Sequence, residues 1–326
     1  MSGFAARLLA WYRRRRRDLP WRATRDPYRI WVSEIMLQQT RAGAVIPYYE
    51  RFLDRFPTVE SLAAAPESAV LAAWSGLGYY SRARHLRRAA LQVAAAGAFP
   101  RDYAAIRALP GIGPYTAAAI SSIAFGLPHA VLDGNVMRVV ARLENDASDI
   151  GSARTRERFR AAAQALLDPR RPGAFNQAMM ELGATVCLPR APRCGECPVR
   201  DHCRASARGT AAQLPVKLGR RAPERIEAAA VVVRRRGRIL LAPVPGDARR
   251  MAGFWELPAP AQLPGMRETA VLGAFRHTIT HHHYVFTVVA AEILRTPRGM
   301  RWFRPADLSG IPLSTTARKA LRLLPL

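Results

Sequence analysis

Lysine is nearly missing from this sequence: its 326 residues hold two, Lys217 and Lys319, and none precedes residue 214. No lysine within residues 1–213 is therefore available as an amine nucleophile. Acidic residues are also scarce, 24 against 50 Lys and Arg, which leaves a formal charge of +26 at pH 7. The imbalance is not a tail effect. Residues 1–213 carry 31 Arg against 17 acids, and residues 214–326 carry 17 Arg and 2 Lys against 7. Such an excess points to a polyanionic partner, most simply nucleic acid, over a mere compositional bias toward arginine. No run reaches the roughly 20 apolar residues of a membrane span. The opening "MSGFAARLLAWYRRRRRDLP" places its arginines after the short apolar run, the reverse of a secretory signal. It reads as a first helix whose Arg13–Arg17 face is solvated or meets phosphate. A soluble, cytoplasmic protein is expected.

Cysteine is sparse too, and all four lie in "VCLPRAPRCGECPVRDHC": Cys187, Cys194, Cys197 and Cys203, spaced C-x6-C-x2-C-x5-C. A zinc ribbon normally shows two CxxC knuckles with a longer insert, whereas here one CxxC is flanked tightly by single cysteines. Four thiolates in so short a loop can wrap a cubane, so a [4Fe–4S] cluster fits best, with zinc as the alternative. Disulfides are disfavoured without a secretory signal. Arg190, Arg193 and Arg200 around the loop fit a surface facing phosphate.

Residues 1–207 carry apolar positions at helical spacing, as in "SLAAAPESAVLAAWSGLGYYSRARHLRRAALQVAAA", and lack strand-like runs. Residues 208–225, with Pro215, Gly219 and Pro223, read as a linker. From 226 the character changes: "AAAVVVRRRGRILLAPV" is a hairpin signal around Gly237, and "HHHYVFTVVAAEIL" is a further strand. Residues 226–326 are expected to form a separate α/β domain.

"LPGIGPYTAAAI" (109–120) sets Gly111 and Gly113 before Pro114, where a helix's first turn would begin and free amides favour an anion. There is no Walker lysine, and an ordinary glycine turn is the bland reading. With "LPWR", "DPYRIWVSEIMLQQTR", "WSGLGYYSRAR", "VLDGNVMRVVAR" and "FNQAMMELGA", the chain from Leu19 to Cys203 resembles the endonuclease III superfamily of DNA glycosylases, and within it the adenine DNA glycosylase (MutY) family. The resemblance implies an all-α helix–hairpin–helix glycosylase domain, a six-helix barrel with a [4Fe–4S] cluster loop, followed by a Nudix (MutT)-like α/β domain. It implies monofunctional excision of adenine mispaired with 8-oxoguanine, or less well with guanine, in double-stranded DNA, by a monomer working at the nucleoid. Two readings compete: a mismatch thymine or uracil glycosylase of the same superfamily, and a non-catalytic DNA-damage-binding protein.

Cleaving a glycosidic bond asks for two differently tuned carboxyls. Glu34 lies among apolar residues that would raise its pKa and hold it protonated. By the resemblance it is the acid that protonates adenine N7. Asp133, in the polar "LDGN" turn, would stay ionised and stabilise positive charge at C1′, with Asn135 orienting it. Tyr115 occupies the slot where bifunctional relatives place a lysine, and is expected near the sugar or Asp133. The resemblance also implies that Arg22, Gln39 and Thr40 line the adenine pocket or the strand-separating wedge, that Gln38, Leu77 and Tyr79 fill or read the vacated space, and that Gly111 and Gly113 hold phosphate. Tyr80 is expected in the core.

In the second domain, residues 247–292 hold only Asp247, Glu256, Glu268 and Glu292, without the clustered glutamates a Nudix hydrolase needs for magnesium. Recognition is left. His277, His281 and His283 share strand parity, but no carboxylate or thiol accompanies them, so metal binding is disfavoured. By the resemblance, Ile279-Thr280-His281 stands where the family has Phe-Ser-His to identify 8-oxoguanine. Thr280 and His281 keep the polar groups, and Ile279 lacks the aromatic ring.

Overall fold

The computed structural model describes residues 2–219, 222, 224–246, 248, 251–279 and 282–324, with Ser2 placed by its backbone alone. Helices occupy the chain up to Ala207 and strands begin at Glu224, the expected order of an all-α region and an α/β region. The compact units do not follow that order. One comprises Met1–Tyr49 and Ala89–Arg220, and the other Glu50–Arg88 and Arg221–Leu326. No helix among the described residues is long and apolar enough to cross a membrane.

The first unit contains α1 (Ser2–Arg15), α2 (Pro27–Leu37) and the start of α3 (Ala42–Arg55). α4 (Val59–Ala64), α5 (Glu67–Trp74) and the start of α6 (Ser81–Ala95) belong to the second; α7 (Tyr103–Ala108), α8 (Pro114–Phe125), α9 (Gly134–Glu144), α10 (Ala153–Leu166), α11 (Pro172–Thr185) and α12 (Arg204–Ala207) return to the first. Local residues set the starts that matter. Asp26 caps α2 by accepting from Tyr28 N at 2.8 Å, and Pro27 opens the first turn. Asp133 caps α9 by accepting from Val136 N at 2.7 Å. Between α7 and α8 the chain reverses through Gly111, whose φ of 78° lies in the left-handed region open to glycine. Leu8, Val140, Phe159, Phe175 and Leu182 are buried in one core, each contributing roughly 1.5–3 kcal/mol by burial.

α9 and α11 approach so closely that a Cβ on Gly183 would lie 2.6 Å from Asn135 Cβ. Gly183→Ala is therefore expected to destabilise by about 1–3 kcal/mol, seen as a melting temperature lowered by about 2–4 °C per kcal/mol. An unchanged melting temperature would mean that the two helices yield freely there.

In the second unit the sheet order is β3–β2–β1–β5–β4, with β6 added on β2. The strands are β1 (Glu224–Arg235), β2 (Arg238–Pro243), β3 (Trp255–Glu256), β4 (Arg267–Ile279), β5 (His282–Glu292) and β6 (Arg301–Phe303). β1 runs parallel to β5 and antiparallel to β2, while β4 and β5 pair antiparallel. Alternation along β1 feeds two cores. Ala230 and Val232 join Ile239, Leu241 and Val288 on one face, covered by Ala317 and Ala320 of α13 (Thr315–Leu321). Val231 and Val233 join Leu240 and Val289 on the other. The loop between α5 and α6 is tied into this unit. Ser75 Oγ donates to Leu313 O, Arg318 Nε donates to Ser75 Oγ at 3.0 Å, and the Tyr80 ring lies 4.1 Å from that of Phe254.

Candidate active site

α2, α8, α9 and α11 surround a cavity of about 1000 Å³ in the first unit. α2 supplies Glu34, the first turn of α8 supplies Tyr115, the cap and first turn of α9 supply Asp133 and Asn135, and α11 supplies Met180 and Glu181. Arg22, Gln38, Gln39 and Thr40 line the same cavity.

Glu34 is 4% exposed. Burial raises its carboxyl to about 7, with the Asp133 charge adding to the rise and the Tyr115 hydrogen bond and Arg22 opposing it. Tyr115 Oη donates to Glu34 Oε2 at 2.6 Å, so its hydrogen bond goes to Glu34, while the Asp133 charge lies near enough to act on it as well. The reason is placement: Tyr115 stands in the first turn of α8, which packs against α2. Tyr115 Oη also lies 3.3 Å from Met180 Sδ.

Asp133 Oδ1 accepts from Val136 N, and Oδ2 accepts from Asn135 Nδ2 at 2.9 Å. Burial raises this carboxyl above its ordinary value, against those hydrogen bonds and Arg138. The turn is thus less solvated than its polar sequence implies. Asn135 is fixed in turn, because Arg138 Nη2 donates to Asn135 Oδ1 at 2.9 Å and to Gly183 O at 2.7 Å.

Two groups that the sequence does not single out complete the wall. Glu181, with no exposed side-chain surface, accepts from Arg22 Nη2 at 2.7 Å and from Arg17 Nη2 at 2.8 Å. Burial would raise Glu181, but hydrogen bonds from Arg17 and Arg22 overcome it and hold the carboxyl at about 2. Arg17, expected in a solvated or phosphate-facing run, turns inward to this carboxylate. The only signal for Glu181 is its place in "FNQAMMELGA".

The remaining residues are dispersed. Gln39 and Tyr79 both hold left-handed backbone, φ 57° and 49°, a costly conformation for such residues that tends to collect at functional sites. Tyr79 is 46% exposed and Leu77 buried, both in the second unit. Tyr80 is buried, as expected. Gly111 and Gly113 are exposed on the hairpin, outside the cavity wall. Thr280 and His281 lie outside the described residues. His277 Nδ1 is 3.4 Å from Lys319 Nζ. Glu256 accepts from Ser314 and Thr316, which makes it a packing group of its unit.

The four cysteines are free and partly buried, and Cys187, Cys197 and Cys203 pack on the core of the first unit. Burial raises the Cys197 thiol to about 11, and Cys187, Cys203 and Cys194 add repulsion. Among the described residues no three His, Cys, Asp or Glu side chains converge closely enough for one metal ion. Four thiols near enough to repel one another need a positively charged group among them to stay ionised, and an iron–sulfur cluster supplies that charge. Two arginines of α9, one turn apart, anchor the start of this loop. Arg138 Nε donates to Cys187 O at 2.7 Å, and Arg142 Nη1 lies 3.1 Å from Cys187 Sγ and 2.8 Å from Leu188 O. Arg190, Arg193 and Arg200 lie along the same loop, all three exposed.

Residues 32–165 match the model of the HhH-GPD superfamily of base excision DNA repair proteins, and residues 187–203 match the iron–sulfur binding domain of endonuclease III. A thermostable thymine-DNA glycosylase is similar in structure, with a TM-score of 0.57 and 32% identity, covering 64% of this chain and 96% of that one. The adenine DNA glycosylase of Mus musculus is 35% identical, over 99% of this chain and 78% of that protein. That of Mycolicibacterium smegmatis is 44% identical over 64% of this chain and 71% of its own. Fold and cavity thus define a helix–hairpin–helix DNA glycosylase of base excision repair carrying a [4Fe–4S] cluster at Cys187, Cys194, Cys197 and Cys203. The chain belongs to the adenine DNA glycosylase family.

Proposed function

We propose that the cavity hydrolyses the N-glycosidic bond of adenine paired with 8-oxoguanine, and less well with guanine, in duplex DNA, acting as a monomer without a covalent amine step. The observation that carries this reading is a buried Glu34 tuned to about 7 in the same cavity as Asp133. The adenine nucleotide leaves the stack to enter. Glu34 gives its proton to adenine N7, the C1′–N9 bond breaks, and the bonding pair leaves with the base. The Asp133 carboxylate, held by Val136 N and Asn135, faces the positive charge that develops at C1′. Water then supplies hydroxide to C1′ and a proton to restore Glu34. Tyr115 and Asn135 position the two carboxyls, and Arg22, Gln39 and Thr40 face the base. The four cysteines spend every ligand position on the iron–sulfur cluster, so the arginine-bearing loop around it serves DNA binding and not the bond cleavage. Residues 226–326 read the opposite base through Ile279, Thr280 and His281.

The similarity to a thymine-DNA glycosylase supports a second reading, thymine excision from T·G pairs. Labelled duplexes bearing A·8-oxoguanine, A·G or T·G, followed by alkali, separate the two. Adenine-strand scission only after alkali is expected. Thymine-strand scission favours the second reading, and tight binding with no scission leaves a DNA-binding protein. No borohydride-trapped adduct is expected from a segment without lysine. An adenine-strand adduct trapped at the speed of turnover overturns the monofunctional assignment.

A further inference from the structure

A second cavity of about 490 Å³ opens beside the first, sharing Arg22, Ile123 and Gln177 with it. Its wall carries Arg16, Arg22, Arg25, Arg170 and Arg171, and no carboxylate. Two carboxylates lie close behind it. Asp168 pairs with Arg171 at 3.0 Å and with Arg170 at 3.7 Å, and Glu181 is engaged by Arg22 and Arg17. Arg16 stacks over the Tyr12 ring at 5.8 Å. No carboxylate lies within ion-pair distance of Arg25 among the described residues. Of the five wall guanidiniums, Arg22, Arg170 and Arg171 are thus paired with carboxylates, and Arg16 and Arg25 have none within ion-pair distance among the described residues. Their mutual repulsion is relieved by an anion bound between them, and planar guanidiniums take phosphate oxygens in bidentate fashion. The volume is too small for duplex and ample for one phosphate with its sugar.

We propose that this arginine-lined cavity is a phosphate site, distinct from the base-excision pocket and adjoining it at Arg22. It does not depend on which base the first pocket excises. Two sources present the same chemistry: a phosphodiester of the bound strand, or a free phosphate or phosphomonoester.

The test uses the intact protein with its cluster and the double variant Arg25→Gln/Arg170→Gln, with Arg16→Gln as an independent second variant. Both alter exposed side chains, and thermal melting confirms folding. If the strand is the source, the slope of log K against log salt for duplex binding falls by about 0.9 for each phosphate no longer neutralised. If a free anion is the source, the slope is unchanged and the calorimetric binding of inorganic pyrophosphate to DNA-free protein weakens about tenfold or more in the variants, as removal of a charge-assisted hydrogen-bond pair implies. Variants that keep both the wild-type slope and wild-type pyrophosphate affinity overturn the proposal. Failure of adenine excision in the duplex panel would leave these readouts untouched.

Discussion

Glu34→Gln is expected to lower single-turnover adenine excision by about 10²–10⁴-fold, the usual worth of a general acid, while duplex affinity stays near that of wild type. The amide matches the carboxyl in size and still accepts from Tyr115 Oη, so the wall of the cavity is preserved. It has no proton to give at N7. The same assignment fixes the pH profile. A carboxyl held at about 7 is protonated below that pH and ionised above it. Excision should therefore fall tenfold per unit on the alkaline side of 7, where an ordinary carboxyl would have lost its proton near 4.5, and on the acid side should hold only until Asp133, itself raised by burial, takes up a proton. Linkage runs in the same sense. Between pH 4.5 and about 7 the folded chain keeps a proton that the unfolded chain releases, so this group's contribution to stability declines as pH rises through that window. Tyr115→Phe supplies an internal check. Its hydroxyl donates to the carboxylate and so favours ionisation; without it the alkaline limb moves to higher pH. Wild-type turnover in Glu34→Gln, or a limb that sits near 4.5, removes Glu34 from the acid role.

How much of the fold and site is legible in the sequence follows from what each feature depends on. The cluster loop is local: four cysteines in one short segment state their own ligand set, and the matched residues 187–203 coincide with it. Glu34 is legible because its apolar neighbours are adjacent on α2 and remain buried there. The partner of Tyr115 is not, since it depends on how α8 meets α2, which no local spacing reports. Arg17 escapes for a related reason. Five consecutive arginines look alike, but α1 ends at Arg15, and the chain beyond it turns so that Arg17 N and its guanidinium both reach Glu181. The grouping of residues 50–88 with the sheet rests on contacts such as Ser75 to Leu313 and Tyr80 to Thr315, separated by more than two hundred residues. Periodicity carries no record of such pairings.

Asp133→Asn is expected to cut excision by about 10²–10³-fold, the scale on which a single preorganised electrostatic group acts at a developing charge. The proposed reaction gives Asp133 a second duty beside capping α9, and the Asn variant divides the two. As the cap of α9 it needs an oxygen to accept from Val136 N, which the amide retains, and Asn and Asp are equivalent as caps; the loss in stability should be confined to the Asn135 Nδ2 bond to Oδ2, about 0.5–1.5 kcal/mol. As the group facing C1′ it needs negative charge, and the amide has none. Asp133→Ala loses both duties and should add about 0.5–2 kcal/mol of destabilisation to the same drop in rate. The charge also acts on its neighbour. Asp133 raises the Glu34 carboxyl, so its neutral replacement should draw the alkaline limb of whatever activity remains toward lower pH, opposite to the shift from Tyr115→Phe. Retention of the wild-type rate and limb in Asp133→Asn would reduce Asp133 to a helix cap and leave the oxocarbenium charge without its counterion.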